Sequence, residues 1–462
     1  IGLSSLPLFA ADGVTLGGYL DTGISLPSGW NGSLDYPAIT TDMELDMNYQ
    51  GSSAEMTGSL IFSMDDLLQD GSFADKLSIT PGEIYLSLYL DNLDITLGYQ
   101  RFAWGTADGI NPTDNINPKD LSDLNNLAST DVSDLVMPVF AAGVTWYPAD
   151  FMAVEGVVLP VFTAPGLPDI ASYLPEELSE MTVNFNYPDT ELPSFESGLR
   201  TSFYLSAMDF SFSYLYAWDD TPDIHVHAGI VESSEYPGVT YGQPDSVDFN
   251  FNRVHIFGAD FALPVGDLDL RGEAAYVLTS DVEGTDIYVK NPYLHYVVEA
   301  GYTFDKITTN LLFSQKIISN FKKISDYDYD LTAVNQTSSF YEEGYTINFF
   351  PLASDQRGPV MSTLMLVGSI SLMNGYLEPS LICIYNFPDD YDDNATDTKL
   401  GSLMAAPSVT YQIADAFDIE AGARIFVSLM EDESGSIVTD DLTTFGMADD
   451  LDQFYLKMRY SY

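Results

Sequence analysis

From Val14 onward, apolar residues alternate with polar or small ones over segments of about ten residues. The pattern is plain in MELDMNY (43–49), EIYLSLYL (83–90), LDITLGY (93–99), DFSFSYLY (209–216), DLDLRGEAAY (267–276) and DIEAGARIFV (418–427). A period of two gives each segment one greasy face and one wet face, so these are strands, and a helical period fits them poorly. No window approaches the ~18 to 20 consecutive apolar residues of a membrane helix.

The connections decide what the strands build. Tight turns at Gly51-Ser52, Asp91-Asn92, Pro148-Ala149-Asp150, Ala207-Met208, Pro264-Val265-Gly266, Phe304-Asp305-Lys306, Asn374-Gly375 and Ala414-Asp415 alternate with long segments. The long ones lie near 26–37, 65–81, 102–132, 161–195, 218–248, 280–291, 319–358, 387–398 and 430–450. A soluble sandwich has no reason to put every long loop at one end, whereas a transmembrane antiparallel up-and-down barrel does, with short periplasmic turns and long extracellular loops. The spacing predicts an all-β fold of about eighteen strands, with about sixteen as the alternative count. The strands are placed near 14–24, 38–50, 53–63, 82–91, 93–101, 134–147, 151–160, 196–206, 209–217, 250–263, 267–279, 292–303, 307–317, 359–373, 375–386, 399–412, 416–429 and 452–462. Pro138 and a slipped alternation lead us to expect bulges in 134–147 and 250–263. An even count brings both termini to the periplasmic side.

Composition changes the picture in two ways. A chain with 69 acidic and 16 basic residues, net charge -53, repels phosphates and excludes nucleic acid as a partner. Such acidity in a soluble protein suggests disorder, but 30 Tyr and 27 Phe argue against it. A barrel resolves the conflict, because the apolar residues face lipid and the acidity belongs to the loops and lumen. The single Cys leaves no disulfide framework and no Cys-based metal site. Residues 1–10, IGLSSLPLFA, are read as the remnant of a secretory signal peptide, leaving 11–462 as one barrel domain; an ordinary apolar strand is the alternative.

Alternation also assigns faces. The expected lumen-facing charges on the early strands are Asp21, Asp42, Glu44, Asp46, Glu83 and Asp94, whereas Met43, Leu45, Met47, Ile84, Leu86 and Leu88 face lipid. Later strands turn Arg200, Arg271, Glu273, Glu299, Arg424, Lys457 and Arg459 inward. A Lys or Arg on the lipid face would cost roughly 2–4 kcal/mol at the midplane, which favours the inward assignment. Closing the last strand on the first puts Lys457 and Arg459 beside Tyr19 and Asp21, and predicts a wall with acidic and basic sectors. The same charges could instead brace an occluded barrel.

The final strand, FYLKMRYSY (454–462), has the outward set Phe454, Leu456, Met458, Tyr460 and Tyr462 and ends on an aromatic. It resembles the C-terminal signal of outer-membrane barrels, which implies recognition by the barrel-assembly machinery and a wall bathed in outer-membrane lipid. A subunit interface would look like lipid-facing strand, so a homo-oligomer is compatible with the pattern.

One loop has internal order. After LDITLGYQ (93–100) the chain breaks into RFAWGTADGINPTDNINPKDLSDLNNL (101–127), where Asn111-Pro112-Thr113-Asp114 is echoed by Asn117-Pro118-Lys119-Asp120. Pro lacks an N–H and biases the preceding Asn to extended or turn geometry, so the loop is irregular but stiff. As the third long loop it resembles that of bacterial general and substrate-specific porins, which folds into the lumen. Its Trp-Gly followed by Asn-Pro-x-Asp is also similar to alginate-export-type barrels, although a basic path for an anionic polymer has no counterpart here. The resemblance implies a constriction near 102–132 carrying Trp104, Asp108, Asn111, Asp114, Asn117 and Asp120, opposite Arg200, Arg271, Arg424 or Arg459.

Other chemistry is sparse. His225 and His227 in DIHVHAG are the one close His pair and read as solvated loop residues; no nucleophile elbow, P-loop or zincin motif occurs, so no enzyme is expected. The loop Asp residues suit Ca²⁺ but lack EF-hand spacing, and no cofactor or metal site is expected beyond weak divalent-cation binding by acidic loops such as 326–330, 388–393 and 431–433. The reading is a porin-like channel in the bacterial outer membrane for passive diffusion of small polar solutes, with cation preference. The alternatives are a closed barrel that binds through its acidic loops, and an export conduit, for which the periplasmic turns are short.

Overall fold

The computed structural model describes residues 13–28, 38–65, 76–122, 135–167, 181–189, 194–327, 329, 331–389, 398–431, 435–439, 443, 445, 446, 448 and 451–462. The expected signal remnant over 1–10, the 123–132 part of the third loop, and most of the acidic stretches 388–393 and 431–433 lie outside the described residues.

Among the described residues, eighteen antiparallel strands close into a barrel. In chain order the first seven are β1 (Val14–Pro27), β2 (Ala38–Gln50), β3 (Ala54–Met64), β4 (Leu77–Leu90), β5 (Leu93–Gln100), β6 (Val139–Ala149) and β7 (Met152–Leu159). A short strand outside the wall, β8 (Thr182–Asn186), precedes β9 (Glu196–Tyr204) and β10 (Asp209–Trp218). Two more strands outside the wall, β11 (Asp223–Glu232) and β12 (Thr240–Asn250), follow. The wall resumes with β13 (Arg253–Val265), β14 (Leu268–Leu278), β15 (Tyr293–Phe304) and β16 (Ile307–Ile318). Helix α1 (Ser338–Ser354) separates these from β17 (Val360–Ile370), β18 (Leu377–Asn386), β19 (Thr398–Ala414) and β20 (Phe417–Glu431). After the short β21 (Ile437–Thr439), β22 (Gln453–Ser461) pairs with both β20 and β1 and closes the ring.

All eighteen predicted wall strands are found, and short turns alternate with long connections throughout. The closed wall pairs the backbone of each strand on both sides, which an apolar surround demands. Outward positions are apolar and exposed, as in Leu45, Met47, Leu86, Leu88 and Leu97. Aromatics crowd the ends next to the short turns, with Phe203 stacked on Phe210 at 4.9 Å and Tyr302 beside Phe304 at 6.4 Å, as in an interfacial girdle.

Of the two expected irregularities, the one in 134–147 falls at the end of that segment and not at Pro138, and the one in 250–263 is not found. Strand β13 pairs without a register shift to both neighbours, and Pro138 lies just outside β6, whose own shift comes between Trp146 and Ala149. In sequence the alternation looks slipped because the inward positions Val254 and Ile256 are themselves apolar and buried. They belong to a cluster with Phe102, Trp104, Ile116, Val139, Ala141, Val157, Leu159, Leu215 and Val277. A second inner cluster joins Ala107 and wall residues Val297, Leu312, Met365, Ile382, Met404 and Phe426 to Phe445 and Ala448 from the last long connection. The inner wall is therefore not uniformly polar: it carries apolar seats for loops.

On the long-loop side, β11 pairs antiparallel with β12, and β12 pairs parallel with β8. Helix α1 covers the free edge of β11, where Val226 N–H donates to Thr346 Oγ1 at 3.0 Å and Ser338 Oγ–H donates to the Ala228 carbonyl. An uncovered edge would be a template for pairing with other chains.

Candidate functional site

The stretch that leaves β5 turns back into the barrel, and its first turn is tied down by one side chain. Asn117 accepts the Phe102 N–H through Oδ1 at 2.8 Å and donates Nδ2–H to the carbonyls of Gln100 (3.2 Å) and Met137 (2.7 Å). It thus joins the end of β5 to the approach to β6. Arg101 N–H donates to Glu83 at 2.7 Å, and Arg101 Nε–H donates to the Val136 carbonyl at 2.6 Å.

Between these ties Trp104 is 1% exposed and sits in the first inner cluster. It lies over Gly198 of β9, where a Cβ would come within 2.7 Å of the indole. Gly105 follows with φ +105°, and a Cβ there would meet Asn111 Oδ1, Glu273 Oε1 and Thr113 Oγ1 at 2.4–2.6 Å. The Trp-Gly pair therefore combines a buried anchor with a backbone too crowded for any side chain. Asn111 Oδ1 accepts from Asp114 N–H (3.1 Å) and Thr113 Oγ1–H (3.3 Å), so the side chain closes the turn over Pro112.

Two wall carboxylates hold the loop from the opposite side. Glu273 of β14 accepts the N–H groups of Thr106, Ala107 and Thr113 and the Thr113 hydroxyl. Glu299 of β15 accepts Asp108 N–H at 2.8 Å. The Asp108 side chain pairs with Arg271 of β14 at 2.9 Å and accepts Asn310 Nδ2–H of β16 at 3.2 Å. Residues 102–120 therefore reach from β5 to strands on the far side of the barrel.

The basic residues expected opposite the loop have separate partners, apart from Arg271. Arg200 pairs with Asp260 at 3.3 Å and reaches the loop only through the Ala103 carbonyl at 3.4 Å. Arg424 stacks on the Tyr455 ring at 4.9 Å. Arg459 and Lys457 both pair with Asp21, at 2.9 and 3.0 Å. Asp114 accepts a long 3.4 Å bond from Trp104 N–H, and burial pushes its carboxyl up to about 6 against the pull of that N–H, Lys119 and Arg200. Asp120 closes a turn onto Ser122 N–H at 3.0 Å.

Asp42, Glu44, Asp46, Glu55, Glu83 and Asp94 share the inner face of β2 to β5, and among the described residues none of them is in an ion pair. Asp94 accepts the Tyr147 hydroxyl at 2.9 Å and Glu55 the Tyr89 hydroxyl at 2.8 Å. Phe454, Leu456 and Met458 of β22 are exposed on the outer face, and Tyr460 stacks with Tyr462 at 6.3 Å. Alternation in the sequence identifies Glu273 and Glu299 only as lumen charges. Their role in holding the loop had no sequence signal, since alternation assigns a face and not a partner.

The barrel resembles solved structures across almost its whole length. OccK5 of Pseudomonas aeruginosa matches with a TM-score of 0.51 at 9% identity, covering 97% of both chains. OccAB1 of Acinetobacter baumannii matches with a TM-score of 0.51 at 8% identity, covering 98% of this chain and 96% of that one. OccK11 of P. aeruginosa gives 0.50 at 8% identity over 97% and 95%. At these identities the likeness concerns the fold alone. No curated protein matches the sequence. A family model described as "protein of unknown function (DUF1302)" matches residues 84–424, from β4 into β20.

Proposed function

The chain belongs to the DUF1302 family, and from that premise and the barrel geometry we propose that it is an outer-membrane channel for small polar solutes with a preference for cations. The third long loop, over 102–120, is its constriction. The observation that carries this reading is the asymmetry of the inner wall. The loop lies against β9 and β14 to β16, whereas the carboxylates of β2 to β5 have no ion-pair partners among the described residues. A passage left beside the loop is lined by negative charge, which raises the local cation concentration and lowers that of anions.

In planar bilayers under about a tenfold salt gradient, the reversal potential should have the sign of cation selectivity. Neutralising Asp42, Glu44 and Asp46 together should move it toward zero. Deleting 108–120 should raise the conductance severalfold. Folded protein that does not conduct, with or without that deletion, overturns the proposal. It would favour the second reading, a closed barrel that acts through its outer loops, for which the two apolar seats on the inner wall speak.

A further inference from the structure

His225 and His227 stand two apart on β11, so both rings leave the same face of the small sheet, with centroids 4.2 Å apart. The fold adds a third group that the sequence does not announce. On α1, Ser338, Glu342 and Thr346 recur every four residues and share a face. Ser338 bonds to the Ala228 carbonyl and Thr346 to Val226 N–H, so Glu342, midway between them, stands at the level of the two rings. The helix can approach this closely because Gly242 lies under Tyr341, where a Cβ would come within 2.0 Å of the ring.

We propose that His225, His227 and Glu342 bind one divalent transition-metal ion of the zinc class, which ties the β10–β13 connection to the β16–β17 connection above the barrel. One donor atom from each residue lies within 4.8 Å of the others. The edge of a tetrahedral zinc site is about 3.3 Å, so modest side-chain rotation closes the set. Asp248 accepts His227 Nε2–H at 3.0 Å, which fixes the tautomer and leaves the Nδ1 lone pair free, as a carboxylate behind a ligating histidine does. Nε2 of His225 is buried and has no hydrogen-bond partner among the described residues, an expense that a bound ion removes. Two imidazoles and one carboxylate suit Zn²⁺, Ni²⁺ or Cu²⁺ and not Ca²⁺ or Mg²⁺, which prefer all-oxygen sites. Asp248, Asp286 and Glu343 add negative charge nearby.

The test is calorimetric titration of the refolded, detergent-solubilised barrel with Zn²⁺, repeated with Co²⁺ for its ligand-field absorption. One ion should bind, undisturbed by excess Ca²⁺ or Mg²⁺. His225→Ala and His227→Ala should weaken binding by about a hundredfold or more, and Glu342→Gln and Asp248→Asn by about tenfold. Absence of Zn²⁺ binding, or equal affinity in all four variants, overturns the proposal. Should a variant misfold, the unmutated protein decides: Zn²⁺ should protect His225 and His227 from diethyl pyrocarbonate, mapped by mass spectrometry, and equal labelling with and without Zn²⁺ counts against the site. None of these readouts depends on the barrel conducting.

Discussion

Four donors of one loop converge on the Glu273 carboxylate, from positions 160 to 167 residues away in the chain. Glu273→Ala would leave three backbone N–H groups without an acceptor, each worth about 1–3 kcal/mol. Loop docking should weaken by about 3 kcal/mol or more, read as new protease cleavage within 101–122 while the wall stays protected. Glu273→Gln keeps one of the two oxygen acceptors and should be cleaved less than Glu273→Ala. Trp104→Ala removes the anchor over Gly198 and should release the loop at a cost of about 3–5 kcal/mol. The sequence made one tie of this loop legible, because Asn before Pro signals a turn and Asn111 holds such a turn, whereas Asn117 bridges segments distant in the chain. It could not make Glu273 legible as an anchor. A carboxylate on a lumen position looks the same whether it faces water or a ring of amides.

Among the elements, the wall strands are written in local alternation and turn chemistry, and each was readable in isolation. The outer sheet was not. Strand β8 finds β12 in parallel across some sixty residues, 64 separating Asn184 from Asp248, and Pro244 breaks the alternation of β12 at a bulge. Helix α1 includes Gly344 and Pro351 and shows no clean apolar stripe, so its helicity rests on packing against β11. The base of this sheet should be sensitive to acidity. Asp223 opens β11 and accepts Lys290 N–H (3.0 Å) and Asn252 Nδ2–H (2.7 Å), yet burial pushes its carboxyl up to about 6 against the pull of Lys290. Burial also raises Asp220, with Glu196 and Asp219 adding to the effect. A carboxyl raised on folding contributes stability that is fully present below its unfolded value of about 3.9 and is lost as pH rises through the folded value. Amide protection in β11 and at Lys290, corrected for intrinsic exchange, should therefore be greater at about pH 5 than at about pH 8. Asp223→Asn should flatten that difference.

At the scale of the whole molecule, an even strand count made an antiparallel seam legible, and the structure sets its register with Asp21 opposite Arg459. Outward Phe454, Leu456 and Met458 and inward Lys457 and Arg459 share β22, so one strand carries two messages separated by parity. The inward message concerns time. Asp21 and Arg459 are 438 residues apart, and bringing such distant points together carries a chain-entropy cost of about 5 kcal/mol. Two cations on a single buried carboxylate help offset it, and only when the ends meet. Asp21→Asn should slow the final step of refolding, seen as delayed appearance of the compact, heat-modifiable band on gels, while the early gain of strand signal keeps its rate. The seam then acts as a checkpoint: a chain cut short before β22 can pair most of its strands, but it lacks the residues that would latch the ring.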